Sequence, residues 1–161
     1  MTHVTAIRRM LATMLLALWW GGFTFYAGRV VFIGHEVLRS KVRQGFITER
    51  VTNELNWLAA VTLALAAWEL AAARKSISLS RWPCMAWGVA VTATIVLFVL
   101  HAKLASQLDF PARQVAGDNF YDWHRAYLWT ASIQWLAGTA LLVAFHSAVC
   151  PTKPSNRTDP G

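Results

Sequence analysis

Four long apolar runs, separated by shorter charged segments, dominate the pattern of hydrophobic and polar positions. The runs cover about residues 10–35, 55–73, 82–105 and 123–149. Each is close to or above the roughly 20 residues that a helix needs to cross the hydrocarbon core of a bilayer. The pattern therefore predicts an all-α integral membrane protein with four transmembrane helices.

The connections between the runs limit how the helices can be arranged. Connections of this length join only neighbouring helix ends, which predicts an antiparallel, up-down-up-down four-helix bundle. We expect one domain over residues 1–150. The polar, proline-bearing segment 151–161 has too little apolar surface to fold alone, and we expect it to be disordered.

Composition supports a membrane protein and argues against a nucleic-acid partner. Hydrophobic residues make up 56% of the chain and charged residues only 14%, whereas soluble domains usually carry about 25% charged residues. The net charge of +7 comes from lysines and arginines that lie mainly between the apolar runs, where membrane proteins keep them. We therefore predict the lipid bilayer as a partner and no nucleic acid.

Small and polar residues recur at steps of three and four along each run. Such stripes let membrane helices approach closely and hydrogen-bond to one another, so we predict that they face the inside of the bundle. The stripes are Gly21, Thr24, Gly28, Val31 and His35; Asn53, Asn56, Ala60, Ala64, Ala67 and Ala71; Gly88, Val91, Thr94, Phe98 and His101; and His124, Tyr127, Ala131, Gln134 and Gly138.

Three histidines lie near one end of the predicted bundle, which we call the mouth and which the connections 36–54 and 103–125 form. Neutral imidazole is a common ligand of haem and transition metals, so His35, His101 and His124 are candidate ligands of haem b or a metal ion. No pair of them has a local ligand spacing such as HxxxH. We favour the alternative in which His35 and His124 bind loops or water at the headgroup level and only His101 lies somewhat deeper.

Other polar residues near the mouth extend this candidate site. They are Asn53, Asn56, Asp122, Arg29, Glu36 and Tyr127. Arg29 lies about 10 Å below the mouth at roughly 1.5 Å per residue, so we expect it to snorkel or to pair with Glu36 or Glu54. Asp122 falls in the first turn of the fourth helix, where a negative charge suits the helix dipole; the alternative is that it orients a ligand histidine.

Charges at the opposite end of the bundle, the terminal face, bear on orientation. Lysines and arginines number seven at each end. Because the first helix often dominates insertion, the pair Arg8 and Arg9 favours cytoplasmic termini. Glu69 lies about one turn from Arg74 and Lys75, so we expect a solvated ion pair at this helix end.

Several short segments resemble a known membrane-protein family. They are LWWGGFTFY at 18–26, QGFIT at 44–48, VTNELN at 51–56 and the pair His124-Arg125. Together they resemble the small bacterial membrane proteins of the transmembrane protein 205-like domain of unknown function, over most of residues 10–150. The resemblance implies a four-helix membrane domain in a bacterial inner membrane, and it assigns no catalytic residue.

Two classes of function are consistent with these patterns. We favour a non-enzymatic subunit or interaction protein of a membrane complex, which packs against other membrane subunits or copies of itself. The alternative is a haem- or metal-binding protein in electron transfer or metal handling, with His35, His101 and His124 as ligands. No GxSxG, HExxH or phosphate-loop motif occurs, so we assign no catalytic residue and favour a role other than catalysis.

Overall fold

The computed structural model of the protein describes residues 3–74, 81–109, 114–115 and 119–149. The predicted all-α class is confirmed, since nearly all of these residues are helical. Four helices are long and apolar enough to cross a membrane, within the bounds Val4–Leu38, Val42–Ala72, Trp82–Ala105 and Phe120–Ser147. The tail 151–161, for which we expect disorder, lies outside the described residues.

The first apolar run forms one helical rod with a widened turn in the middle. The rod consists of α1 (His3–Phe25), a π-helical segment (Tyr26–Val30) and α2 (Val31–Leu38). Arg39 then adopts a left-handed backbone conformation (φ 47°) while its N–H donates a hydrogen bond to the His35 carbonyl. This conformation cannot continue a right-handed helix, so the rod ends at Leu38, three residues after the apolar run.

The second helix begins well before its apolar run. This helix, α3, spans Lys41–Arg74, so most of the connection expected at 36–54 is helical. Hydropathy marks only the part of a helix that suits the bilayer core, and residues 41–54 contain no proline to interrupt the backbone hydrogen bonds. The mouth is therefore built largely from helix rather than loop.

The third and fourth helices follow their apolar runs closely. They are α4 (Trp82–Ala105), with Pro83 in its first turn, and α5 (Phe120–Val149). Between them β1 (Leu108–Asp109) pairs antiparallel with β2 (Gln114–Val115), in a ladder of two residues per strand.

Each long helix packs against two others, in the order α1, α3, α4, α5 and back to α1. Thr62 of α3 donates a hydrogen bond to the Leu15 carbonyl of α1 (3.5 Å), and Gly22 lies beside Leu55. Residue numbers thus rise along α1 while they fall along α3. The next pair of helices, α3 and α4, is joined by a hydrogen bond from the Trp87 indole N–H to the Leu63 carbonyl (2.9 Å).

Large apolar side chains face outward from all four long helices. Examples at similar exposure are Leu18, Val61, Ile95 and Leu136. The inside holds a long apolar cluster that includes Leu16, Trp19, Leu63 and Leu141, and a smaller one nearer the mouth. An exposed surface this apolar is unusual for a soluble monomer and suits a lipid environment.

Candidate functional site

The three candidate histidines have three different environments. His35 is exposed on α2. His101 is half-buried on α4, with its Nε2 atom 3.4 Å from the Glu49 carboxylate of α3. His124 is half-buried in the first turns of α5 and stacks on the Phe120 ring, with the ring centroids 6.0 Å apart.

These positions do not assemble a shared metal site. Within residues 3–74, 81–109, 114–115 and 119–149, no three His, Cys, Asp or Glu side chains come close enough to hold a metal ion. The hypothesis that three histidines share one metal therefore finds no support in this part of the chain. The reason lies in α2, which packs against α3 and leaves His35 on the outside. A haem held by two histidines stays a prediction.

Two other residues of the predicted mouth do meet. Asn56 of α3 and Tyr127 of α5 are both buried. The Asn56 amide nitrogen donates a hydrogen bond to the Tyr127 hydroxyl (3.3 Å), and the hydroxyl lies 3.4 Å from the Asn56 amide oxygen, to which it can donate. The contact joins α3 and α5, which are not neighbours in the packing order, so it crosses the inside of the bundle.

The remaining mouth residues lie on the surface or close to it. Asn53 is half-buried, Asp122 lies exposed in the first turn of α5, and Arg29 and Glu36 are exposed. Arg29 forms no ion pair with any carboxylate in the described segments, so of the two expected alternatives the pairing with Glu36 or Glu54 is not observed. Arg29 lies in the π-helical segment with its side chain exposed on the outer surface.

The most strongly charged site lies at the terminal face rather than the mouth. The Glu69 carboxylate, only 4% exposed, accepts a hydrogen bond from Arg8 Nε (2.6 Å) and another from Arg9 Nε (2.9 Å). The Arg8 guanidinium carbon also lies 5.8 Å from the centre of the Trp68 ring. We call Arg8, Arg9, Glu69 and Trp68 the arginine–glutamate cluster.

This cluster corrects the expectation of a solvated pair at the end of α3. Glu69 is buried because α1 already begins at His3, so Arg8 and Arg9 lie on a helical turn beside α3. The side chains of Arg74 and Lys75 lie outside the described residues. The signal in the sequence is the charge pattern of α1 and α3 together. When the two helices are aligned in opposite directions, Arg8 and Arg9 lie level with Glu69.

Two of the predicted stripes meet in a buried contact between α4 and α5. The Gln134 side-chain nitrogen donates to the Thr94 hydroxyl (2.7 Å), and this hydroxyl donates to the Ala90 carbonyl (2.7 Å). Both side chains are buried. The stripes therefore predict the interior position of these two side chains correctly. They do not predict close helix contacts at Gly21, Gly28 and Gly88, because a side chain there would meet no atom within 4 Å.

Tryptophans join α1 to α5. The rings of Trp20 and Trp135 stack with centroids 5.3 Å apart. Trp20 donates to the Thr139 hydroxyl (2.9 Å), and Trp135 donates to the Thr24 hydroxyl (2.8 Å). An open groove of about 340 Å³ lies beside this contact. It is lined by Phe23, Thr24, Ala27, Ser132, Trp135 and Leu136.

Comparison with protein-family models, with curated proteins and with solved structures finds no match to this chain. The function is therefore inferred from the chain's own residues. In the described segments, the hydrogen bonds between two side chains mostly connect one helix to another, as at Glu69, Asn56 and Gln134.

Proposed function

We propose that this chain is an integral protein of the bacterial inner membrane and a non-enzymatic subunit or interaction protein of a membrane complex. In this proposal the four long helices cross the bilayer as an antiparallel, up-down-up-down bundle with both termini in the cytoplasm. The short segments quoted above, from 18–26 to His124-Arg125, also lead us to propose kinship with the transmembrane protein 205-like proteins.

The distribution of apolar and polar side chains carries the membrane part of the proposal. Large apolar side chains point outward on every long helix, while Thr94, Gln134 and Asn56 are buried and hydrogen-bonded to other side chains. A hydrocarbon solvent requires this arrangement, because a polar group that lacks a partner there costs several kcal/mol. Arg8 and Arg9, ahead of the first apolar run, support cytoplasmic termini.

The roles of the polar side chains support an interaction function. Glu69, Asn56 and Gln134 are the kind of residue that performs proton transfer or binds ligands in membranes. Here each is engaged by a side chain of another helix. Such contacts fix how helices pack, and packing is what a subunit of a membrane complex contributes.

Membrane integration is tested by alkaline carbonate extraction of membranes that contain the full chain. We expect the protein to stay in the pellet. Single cysteines placed at exposed Tyr121 and at exposed Ile7 then report orientation through a membrane-impermeant thiol reagent, with the native cysteines replaced by serine. Labelling of the Tyr121 site alone from the periplasmic side supports cytoplasmic termini, and labelling of the Ile7 site alone reverses the orientation.

The interaction function is tested by photo-crosslinking inside native membranes. A photoreactive residue is placed in turn at the outward positions Leu18, Val61, Ile95 and Leu136, which are matched in exposure. We expect a discrete protein adduct at one or two of these positions. Lipid adducts alone at all four positions would contradict a role in a protein complex without affecting the membrane assignment.

A further inference from the structure

We propose that the arginine–glutamate cluster binds the phosphate headgroup of an anionic phospholipid. The inference rests on the proposed membrane location. It assigns a ligand to a site that lies at the opposite end of the bundle from the candidate histidines.

The two ends of the bundle differ in net charge although each has seven lysines and arginines. In the sequence, the segments of the terminal face (1–9, 69–81 and 150–161) carry two acidic residues. The mouth segments, 36–54 and 103–125, carry six. The net charge is thus +5 at the terminal face and +1 at the mouth, so anionic lipids are attracted to the terminal face.

Glu69 holds the two arginine side chains of the cluster side by side. Each of its two carboxylate oxygens accepts a bond from a different guanidinium, at 2.6 Å from Arg8 and 2.9 Å from Arg9. The two arginine side chains are only 15% and 13% exposed, and a partly buried guanidinium binds an anionic counter-ion more strongly than one in water does.

Arg8 supplies the donors for that counter-ion. Its Nε atom is bound to Glu69, while its two Nη atoms have no hydrogen-bond partner in the described part of the chain. A guanidinium binds a phosphate group through parallel N–H donors. Since Glu69 and the Trp68 ring both hold the Arg8 guanidinium, little side-chain entropy is lost when phosphate binds.

The position of the cluster matches a headgroup attached to acyl chains. Arg8 lies near the start of one candidate span, Val4–Leu38, and Trp68 lies near the end of another, Val42–Ala72. Trp68 is 58% exposed, and tryptophan is enriched at the level of the headgroups. The cluster therefore presents a cation to the headgroup and an indole to the upper acyl chain.

The test measures which lipids stay with the full-length protein. The protein is reconstituted in bilayers of phosphatidylcholine with a minor fraction of phosphatidylglycerol, re-extracted in mild detergent, and its bound lipids are quantified by mass spectrometry. We expect phosphatidylglycerol to be enriched, and Arg8→Gln to lower this enrichment about fivefold, the effect expected of one arginine at an anionic surface. Arg125→Gln, which removes an exposed charge at the mouth, should leave it unchanged.

A second variant and a competitor complete the design. Trp68→Leu alters an exposed residue and should lower the enrichment while the helical content stays the same. Equal losses in Arg8→Gln and Arg125→Gln would show a response to net charge alone and overturn the site. Displacement of the lipid by inorganic phosphate at constant ionic strength would also overturn it, in favour of a soluble anion. Both results leave carbonate extraction unchanged, so they are distinguishable from a failure of the membrane assignment.

Discussion

Gly138 of α5 lies directly against the indole ring of Trp19 in α1. A Cβ atom at position 138 would lie 2.5 Å from Cζ3 and 2.9 Å from Cη2 of this ring. Trp19 is 1% exposed and belongs to the long apolar cluster, so the ring has little room to move. The absence of a side chain at position 138 is what lets these two helices approach.

Gly138→Ala is therefore expected to destabilise the bundle. Overpacking of a filled core costs about 1 to 3 kcal/mol, which exceeds the gain from replacing a helical glycine. Thermal unfolding in detergent, followed by circular dichroism, measures the change. Gly21→Ala is the matched control: its new methyl group would meet no atom within 4 Å, so this variant should be as stable as the wild type or more so. Equal effects of both substitutions would contradict the packing argument.

Glu69→Gln should destabilise the protein strongly. The substitution leaves two arginines side by side, each less than a sixth exposed, without the carboxylate that they share. Removal of one partner from a buried ion pair costs about 3 kcal/mol or more. Glu54→Gln changes an exposed carboxylate on the same helix and should have little effect. Equal unfolding temperatures for the two variants would show that the cluster contributes no stability.

Thr94→Val should leave the Gln134 amide buried without its acceptor. We expect a loss of about 1 kcal/mol in the free energy of unfolding, the usual size for a hydrogen bond between membrane helices. The double variant Thr94→Val with Gln134→Met should lose less than the sum of the single changes, because both polar partners are then gone. Thr92→Val serves as the control, since the Thr92 hydroxyl is exposed and bonds within its own helix.

His101→Ala and His124→Ala should act independently of each other. His101 contacts Glu49 of another helix, whereas His124 stacks on Phe120 of its own. Stability changes at independent sites add within about 0.5 kcal/mol. A double-mutant cycle measures the coupling, and a dithionite-reduced minus oxidised absorbance spectrum of the purified protein tests for haem. A coupling energy above about 1 kcal/mol, or sharp Soret and alpha bands that disappear in both variants, would show that His101 and His124 bind a common ligand.

The sequence predicted the fold class because hydropathy measures what the bilayer requires. Four apolar runs predicted the four long helices, and the run at 82–105 has the same bounds as α4. The run at 55–73 did not predict that α3 begins at Lys41, because residues 41–54 are too polar to register as a span. The π-helical segment Tyr26–Val30 was not predicted, because a hydropathy pattern does not distinguish a π-helical turn from an α-helical one.

The candidate site was harder to predict, because it depends on which helix faces meet. Helical spacing placed Thr94 and Gln134 in the interior, where they bond to each other. The same spacing failed for His35, which lies beyond the widened turn and is exposed. The partners of Glu69 were missed because they lie 60 and 61 residues away in sequence, and the polar tail before the first run gave no sign that it is helical.

The π-helical segment acts as a phase shift within the first rod. An extra residue in one turn rotates everything that follows by about 100° relative to an uninterrupted α-helix. In the phase observed, Gly34 faces α3 so closely that a side chain there would overlap Gln44. Deletion of one residue from Tyr26–Val30 would turn Gly34 away and bring a bulkier neighbour round to Gln44. The length of this one turn therefore sets the angular orientation of α2 independently of α1.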